Sequence, residues 1–320
     1  MKKKIRSAAA LLMAVIILAA LCSCGSSATQ IKMATGGTAG TYYGFSGVIA
    51  QVLNEKLKDD INVTVESTGA SKANIQLIEN GDDSLAIVQN DVMFYAYTGT
   101  DMFSKPVTNF SAVLSCYPEI VQIVAAPDIT SIDQLKGKSV SVGAADSGTR
   151  YNAEQILAAY GISFGDIDVV YESFADSADS MKNGTIDACF VVAGTPTTAI
   201  TELATSYKFN LLGVDDEHLA ALQSKYGFYT AVTVAADTYS CLTGDVQCAA
   251  VMATIIASND LKEDAVYSFL KGLFDYKDEI SAAHNKGNEL DLNTAVSGIS
   301  IPFHPGAQKF YAEKGISIAK

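Results

Sequence analysis

The sequence contains no tryptophan, only three histidines and only six prolines in 320 residues. His218, His284 and His304 are far apart in sequence, no HExxH occurs, and the cysteines after residue 24 (Cys116, Cys189, Cys241, Cys248) show no CxxC spacing. This spacing argues against a zinc-type ligand set, and no metal or cofactor is assigned. Basic residues are scarce, with 22 Lys and Arg against 35 Asp and Glu and a formal charge of −13. A nucleic-acid surface needs a basic stripe, and none is visible. Charged residues make up only 18% of the chain and apolar ones 49%, so disorder is excluded as its main state. No general base stands beside a candidate nucleophile, so no catalytic residue is assigned.

Long apolar runs are absent beyond the first segment. Lys2, Lys3, Lys4 and Arg6 precede an unbroken apolar and small stretch, Ala8 to Cys22. That stretch is short for a membrane span, which needs about 20 residues, and suits the centre of a secretory leader. It ends in Leu21-Cys22-Ser23-Cys24-Gly25, which resembles the lipobox of bacterial lipoproteins. The resemblance implies cleavage after Ser23 and a lipid on Cys24; the alternatives are Cys22 as the lipidated residue or an uncleaved anchor. Residues 1–23 are read as leader and 24–30 as tether. Loss of the leader's four cations takes the net charge from −13 to −17. Cys116 and Cys189 lie in apolar stretches and read as buried. Whether Cys241 and Cys248 pair is left open.

The rest alternates strands and helices. Ile31–Thr35 reads as a strand, Tyr43–Lys58 as a helix with Phe45, Ile49 and Leu53 on one face, 61–67 as a strand, and Ser71–Asn80 as a helix stopped by Gly81. Strands follow at 85–89, 139–143, 186–193 and 229–236, residues 111–126 read as one or two strands, and the chain beyond Thr243 reads as mainly helical. Strand–helix alternation argues for mostly parallel sheets covered by helices, in two α/β domains. The expected lobes are 28–125 plus 236–320 (lobe I) and 126–235 (lobe II).

Three loops share one design: Gly36-Gly37-Thr38-Ala39-Gly40-Thr41-Tyr42, Gly143-Ala144-Ala145-Asp146-Ser147-Gly148-Thr149, and Gly194-Thr195-Pro196-Thr197-Thr198. Each leaves a strand and opens a helix, where free N–H groups and the positive dipole end favour an anion. Read singly, each is a plain turn with a helix cap; three in one chain favour a ligand site. None carries the Lys-Ser/Thr of a nucleotide P-loop or the glycine spacing of a dinucleotide fold.

Thr35-Gly36-Gly37-Thr38-Ala39-Gly40-Thr41-Tyr42-Tyr43 resembles the opening signature of the TAXI family of solute receptors, the binding proteins of one class of TRAP transporters. Further blocks match in order: Glu66–Ser71 with Asn74, Ala86–Asp91, Leu135–Lys138 leading to Ser147–Thr149, and Ile301–Ala307. The resemblance spans about 31 to 315. It implies a type II periplasmic-binding-protein fold, with two α/β lobes joined by crossing strands. It further implies capture of a small organic solute (an amino acid such as glutamate or glutamine, or a 2-oxo or dicarboxylic acid) for ion-gradient-driven uptake through TRAP membrane subunits. Matching residue by residue, it points to Gly37, Thr38, Thr41, Tyr42, Gln89, Ser147, Gly148 and Thr149 as ligand-binding; the loop design adds Gly194 and Thr197. The expected protein is a monomer, exported, and anchored by Cys24 to the outer face of the cytoplasmic membrane or in the periplasm. Asp146 stands where the family usually has Gly, and is read either as a selector of ligand charge or as a solvent-facing cap. Arg150 is read either as a carboxylate partner or as an outward-pointing side chain. The competing readings are an exported sensor feeding a membrane kinase and a hydrolase or transferase using the loops as an oxyanion hole.

Overall fold

The computed structural model describes residues 28–318, and the leader and lipobox lie outside them. Lobe I begins with β1 (Thr29–Ala34), α1 (Thr41–Lys56), β2 (Ile61–Glu66), α2 (Ser71–Asn80), β3 (Leu85–Gln89) and α3 (Asn90–Thr98). The long β4 (Phe110–Ala125) leads into β5 (Ser139–Ser141), α4 (Gly148–Ala159), β6 (Asp168–Val170), α5 (Phe174–Asn183), β7 (Ala188–Ala193) and α6 (Thr198–Ala204). Then come β8 (Asn210–Leu212), α7 (Asp216–Tyr226), β9 (Thr230–Val234) and a second long strand, β10 (Val246–Ser258). The chain ends in α8 (Glu263–Asp275), α9 (Lys277–Ala283) and α10 (Pro305–Glu313). Thr29 and Gln30, expected in the tether, already pair with Ile61 and Asn62 between β1 and β2.

The strand order β2-β1-β3-β10-β4-β7-β5-β6 is symmetric about its centre. At each end three strands run parallel, β2-β1-β3 and β7-β5-β6, connected by strand–helix–strand units. Between them β4 and β10 run antiparallel and carry the chain across. Their lengths explain the crossing. Leu114, Cys116, Tyr117, Ala253 and Ile255 belong to the lobe I core, whereas Val121, Ile123, Ala249 and Val251 belong to one face of lobe II and Ile120, Val124, Cys248 and Ala250 to the other. This odd–even division is the two-residue period of a strand buried on both faces.

The expected two lobes joined by crossing strands are therefore present, with the change of core at about residues 118–119 and 251–252 rather than at 125 and 235. A lobe boundary inside a continuous strand leaves no linker in the sequence. The reading of the chain beyond Thr243 as helical is corrected by β10. Its alanines (Ala249, Ala250, Ala253, Ala257) favour a helix in isolation, but β3, β4 and β9 flank it and burial on both faces decides for a strand. In α1, Phe45, Ile49 and Leu53 are fully buried at four-residue spacing and fix the helix against the sheet. Cys116, Cys189, Cys241 and Cys248 are all free thiols.

Candidate functional site

A cavity of about 70 Å³ lies between the lobes. Helix N-termini make most of its wall. α1 contributes Gly40, Thr41 and Tyr42, α2 contributes Ala70 and Ser71, α4 contributes Ser147, Gly148 and Thr149, and α5 contributes Ser173 and Phe174; Gln89 immediately precedes α3. Each helix start presents unpaired N–H groups and a partial positive charge. In lobe II the caps are supplied internally, with Ser147 Oγ accepting from Arg150 N and Ser173 Oγ from Asp176 N. In lobe I the residues before α1, α2 and α3 (Gly40, Ala70 and Gln89) provide no side-chain cap. At α2 the Asp146 carbonyl of lobe II takes the first-turn N–H groups of Lys72 and Ala73 instead, and at α3 Asp91 Oδ1 accepts from Val92 N. The start of α1 has no such cap, and an uncapped helix start favours an oxyanion.

Local strain marks the same wall. Ala70 adopts φ +70°, a region that residues with a Cβ rarely occupy. It is held there by Thr68 Oγ1, which accepts from Ala70 N at 3.0 Å, and by the buried Asn74, whose Nδ2 donates to Thr35 O (2.6 Å) and Ile87 O (2.8 Å). Asn74 thereby ties the first loop, α2 and β3 together.

The lining carries no Lys, Arg or His, and its single carboxyl side chain is Glu119, 1% exposed, in the middle of β4. Tyr42 OH donates to Glu119 Oε2 at 2.5 Å. Burial pushes the Glu119 carboxyl up to about 8, opposed by the Tyr42 bond and the Lys286 charge and reinforced by Asp91. Lys286, with a side chain 4% exposed, is committed to Glu289 at 2.5 Å. Gln89 Nε2 donates to Asn152 Oδ1 (3.0 Å), and its own Oε1 is buried without a partner. Behind it a polar chain crosses between lobes. Asn152 Nδ2 donates to Asp91 Oδ2 and Tyr229 OH (2.9 Å each), Tyr229 OH donates to Gln155 Oε1 (2.6 Å), and Gln155 Nε2 donates to Tyr95 OH (3.2 Å). Burial raises Asp91 to about 6.

The lobes touch around the cavity. Thr41 Oγ1 donates to Gly194 O at 2.9 Å, Ala199 N to Ala39 O at 3.3 Å, and Lys72 N and Ala73 N to Asp146 O at 3.2 and 3.3 Å. The arrangement is the closed form of a two-lobed cleft.

Of the residues singled out from the sequence, Gly37, Thr41, Tyr42, Gln89, Ser147, Gly148 and Thr149 line the cavity. Thr38 does not; it is exposed at the loop tip, because the backbone turns between Gly37 and Gly40. Gly194 and Thr197 are also outside the lining. Gly194 is bare because the Lys286 side chain lies where its Cβ would be, and its carbonyl accepts from Thr41 and Thr197. Thr197 is spent inside lobe II, bonded to Gln122 and, through its N–H, to Tyr239. Asp146 points to Lys72 (3.0 Å), not into the cavity. Arg150 pairs with Glu154 (3.1 Å) and stacks over Tyr151 and Phe164.

Glu119, Ser71, Thr68 and Phe174 are lining residues that sequence reasoning missed. Glu119 had a signal, being the one charge in the strand run 110–126. Phe174 had none. Gly161-Ile162-Ser163-Phe164-Gly165 spells the Gly-x-Ser-x-Gly pattern of a nucleophile elbow, but it follows a helix instead of a strand. Its Ser163 is exposed, donates to Asp166 Oδ2 at 2.7 Å as part of a local turn, and lies outside the cavity lining. Among the described residues no His/Cys/Asp/Glu cluster could hold a metal, and no helix is long and apolar enough to cross a membrane.

Solved structures share this architecture. A protein of Bordetella bronchiseptica RB50 matches with a TM-score of 0.58 at 14% identity, over 90% of this chain and 99% of that one. The alkanesulfonate-binding protein SsuA from Xanthomonas axonopodis pv. citri, bound to MOPS, matches with a TM-score of 0.52 at 16% identity, over 90% and 84%. PhnD1 from Prochlorococcus marinus, in complex with methylphosphonate, matches with a TM-score of 0.50 at 11% identity, over 90% of each chain. At these identities the likeness is one of fold, and the fold is that of periplasmic binding proteins. The NMT1-like family matches residues 33–315, nearly the whole described chain, and the protein belongs to that family.

Proposed function

We propose that this protein is an extracytoplasmic solute receptor. It captures a small organic anion or amino acid between its lobes and delivers it to a membrane transporter. The observation that carries the reading is the convergence of helix N-termini from both lobes on one cavity whose lining carries no cationic side chain. Aligned amides hold carboxylate, sulfonate or phosphonate oxygens without a formal charge. The two fold relatives named with ligands hold a sulfonate and a phosphonate. A ligand bridging both half-sites favours the closed form, and the transporter reads that form. Screening acts over about 8 Å at physiological salt, so the acidic surface leaves the contact amides in control inside the cleft.

The finer reading follows the sequence resemblance: the transporter is of the TRAP class, and Cys24 carries a lipid that holds the receptor at the membrane. A thermal-shift screen of the detergent-solubilised full chain with amino acids, 2-oxo acids, dicarboxylates, sulfonates, sugars and nucleosides tests the receptor reading. A saturable rise with one acidic or zwitterionic solute, without turnover, is expected. A response only to sugars or nucleosides, or chemical conversion of the hit, overturns it. Uptake of the hit that survives ATP depletion but not loss of the ion gradient assigns the TRAP class over an ATP-driven partner.

A further inference from the structure

The walls of this cavity pose a conflict of charge. Its amide donors favour an oxyanion and no Lys, Arg or His lines it, yet a carboxyl side chain, Glu119, does. An ionised Glu119 would repel the anion across a buried space with no cation in the lining to offset it. Hydrogen-bond polarity resolves the conflict. Ser71 Oγ accepts from Gln89 N at 3.1 Å, which leaves its own proton for the Tyr42 oxygen. Tyr42 OH in turn donates to Glu119 Oε2 at 2.5 Å. Oε2 is thus an acceptor, and a proton on the carboxyl belongs on Oε1, which has no partner among the described residues. Ser71, Tyr42 and Glu119 all line the cavity.

We propose that Glu119 is a neutral acid that donates its Oε1 proton to an oxyanion of the solute, so that the cavity takes anions only in its protonated form. The proposal rests on the receptor reading. Tyr42 sets the geometry: it stands in the first turn of α1 and bonds Glu119 directly, so the side-chain acid and the uncapped amides of α1 can share one anionic group. A carboxylic acid kept neutral by its site donates a strong bond to an oxyanion. The titratable groups facing Glu119 are Tyr42 from α1, Asp91 from α3, Lys286 from the turn 285–289, and Cys116 and Tyr117 on its own strand. Lys286 is the single cation among them and is held by Glu289. Asp91 works against a charge on Glu119, as burial does. With the carboxyl raised to about 8, the acid form prevails at pH 7 before the solute arrives. At higher pH an ionised Glu119 takes a proton from solvent as the anion binds.

Calorimetric titration of the full chain in detergent tests this, with pyruvate, 2-oxoglutarate, L-glutamate and methanesulfonate as probes. For each probe that binds, affinity is expected to be level from pH 6 to pH 7 and about tenfold weaker at pH 9. Titration at pH 9 in buffers of different ionisation enthalpy is expected to count close to one proton taken up per anion bound, against close to none at pH 6. That count needs no variant. Glu119→Gln puts a permanent N–H donor in place of the acid and keeps an acceptor for Tyr42. It is expected to bind within about threefold of the unaltered protein at pH 7, to lose nothing at pH 9 and to take up no proton. No uptake at pH 9, release of a proton, loss of binding in a folded Glu119→Gln, or an unaltered pH profile in that variant overturns the proposal and leaves the receptor reading standing. Binding of none of the four probes at any pH overturns it together with the small-anion receptor reading.

Discussion

Asp146 of lobe II grips the first turn of α2 in lobe I through Lys72: its Oδ1 lies 3.0 Å from Lys72 Nζ, and its carbonyl accepts Lys72 N at 3.2 Å. The ion pair is half exposed and is worth at most about 1 kcal/mol. The backbone bonds do not depend on the side chain. Asp146→Ala is therefore expected to weaken ligand binding by about two- to fivefold through the closed form, with the order of preference among ligands unchanged. Calorimetry on a mono- and a dicarboxylate checks this. A reversal of preference would restore Asp146 as a reader of ligand charge.

Gly148 meets Gln89 across the lobe junction. A Cβ at Gly148 would collide with the Gln89 amide, which is itself anchored to Asn152. Each lobe can accommodate the methyl separately, because the clash exists only between lobes. Gly148→Ala is expected to leave the melting temperature of the ligand-free protein nearly unchanged, to lower affinity about tenfold or more, and to shift the solution scattering toward an open form. A closed scattering profile with native affinity would show that Gln89 swings aside.

Glu119 and Asp91 give the fold a pH dependence of definite sign. Burial raises Glu119 from 4.5 to about 8 and Asp91 from 3.8 to about 6. The folded state therefore holds these protons more tightly than the unfolded chain, and their contribution to stability falls as pH rises through those windows. His284 and His304, lowered from 6.5 by burial, act with the opposite sign below that pH, so the ligand-free protein is expected to melt at progressively lower temperature from about pH 6.5 to pH 8. Glu119→Gln removes the slope between about 6 and 8 together with its own share below 6, and Asp91→Asn removes only the Asp91 share, between about 4 and 6. Thermal melts across pH decide it, and a melting temperature rising from about 6.5 to 8 contradicts the burial of Glu119.

Much of this site is local in sequence, and that part could be read. Gly37, Thr41, Tyr42, Ser147, Gly148 and Thr149 lie at strand-to-helix turns, where glycine, a hydroxyl residue and the onset of helical periodicity occur together. The residues that close the cavity are not local. Glu119 sits in a strand whose neighbours, Tyr117 and Ile120, belong to different lobes. Phe174 opens a helix that nothing in its own segment connects to a ligand. The misreading of β10 has the same origin. Val246–Ser258 becomes a strand through its partners in β3, β4 and β9, and pairing over such sequence distances leaves no periodic trace when both faces are buried.

Thr38, Thr149 and Thr197 separate roles that one loop pattern merged. Thr197 Oγ1 accepts from Gln122 at 2.9 Å and donates to Gly194 O at 2.9 Å, entirely within buried lobe II. Thr197→Val leaves the Gln122 amide without its acceptor, so a loss of about 1–3 kcal/mol of stability is expected, with ligand affinity little changed. Thr149 is buried, lines the cavity and stands in the first turn of α4. Thr149→Val keeps the shape and removes a hydroxyl, so affinity is expected to fall about tenfold with stability nearly intact. Thr38 is exposed, and Thr38→Ala is expected to change neither. Denaturant melts and calorimetry on the three variants form one experiment. If Thr38→Ala weakens binding as much as Thr149→Val, the loop tip takes part in capture before the lobes close, and the ligand contacts extend beyond the cavity of the closed form.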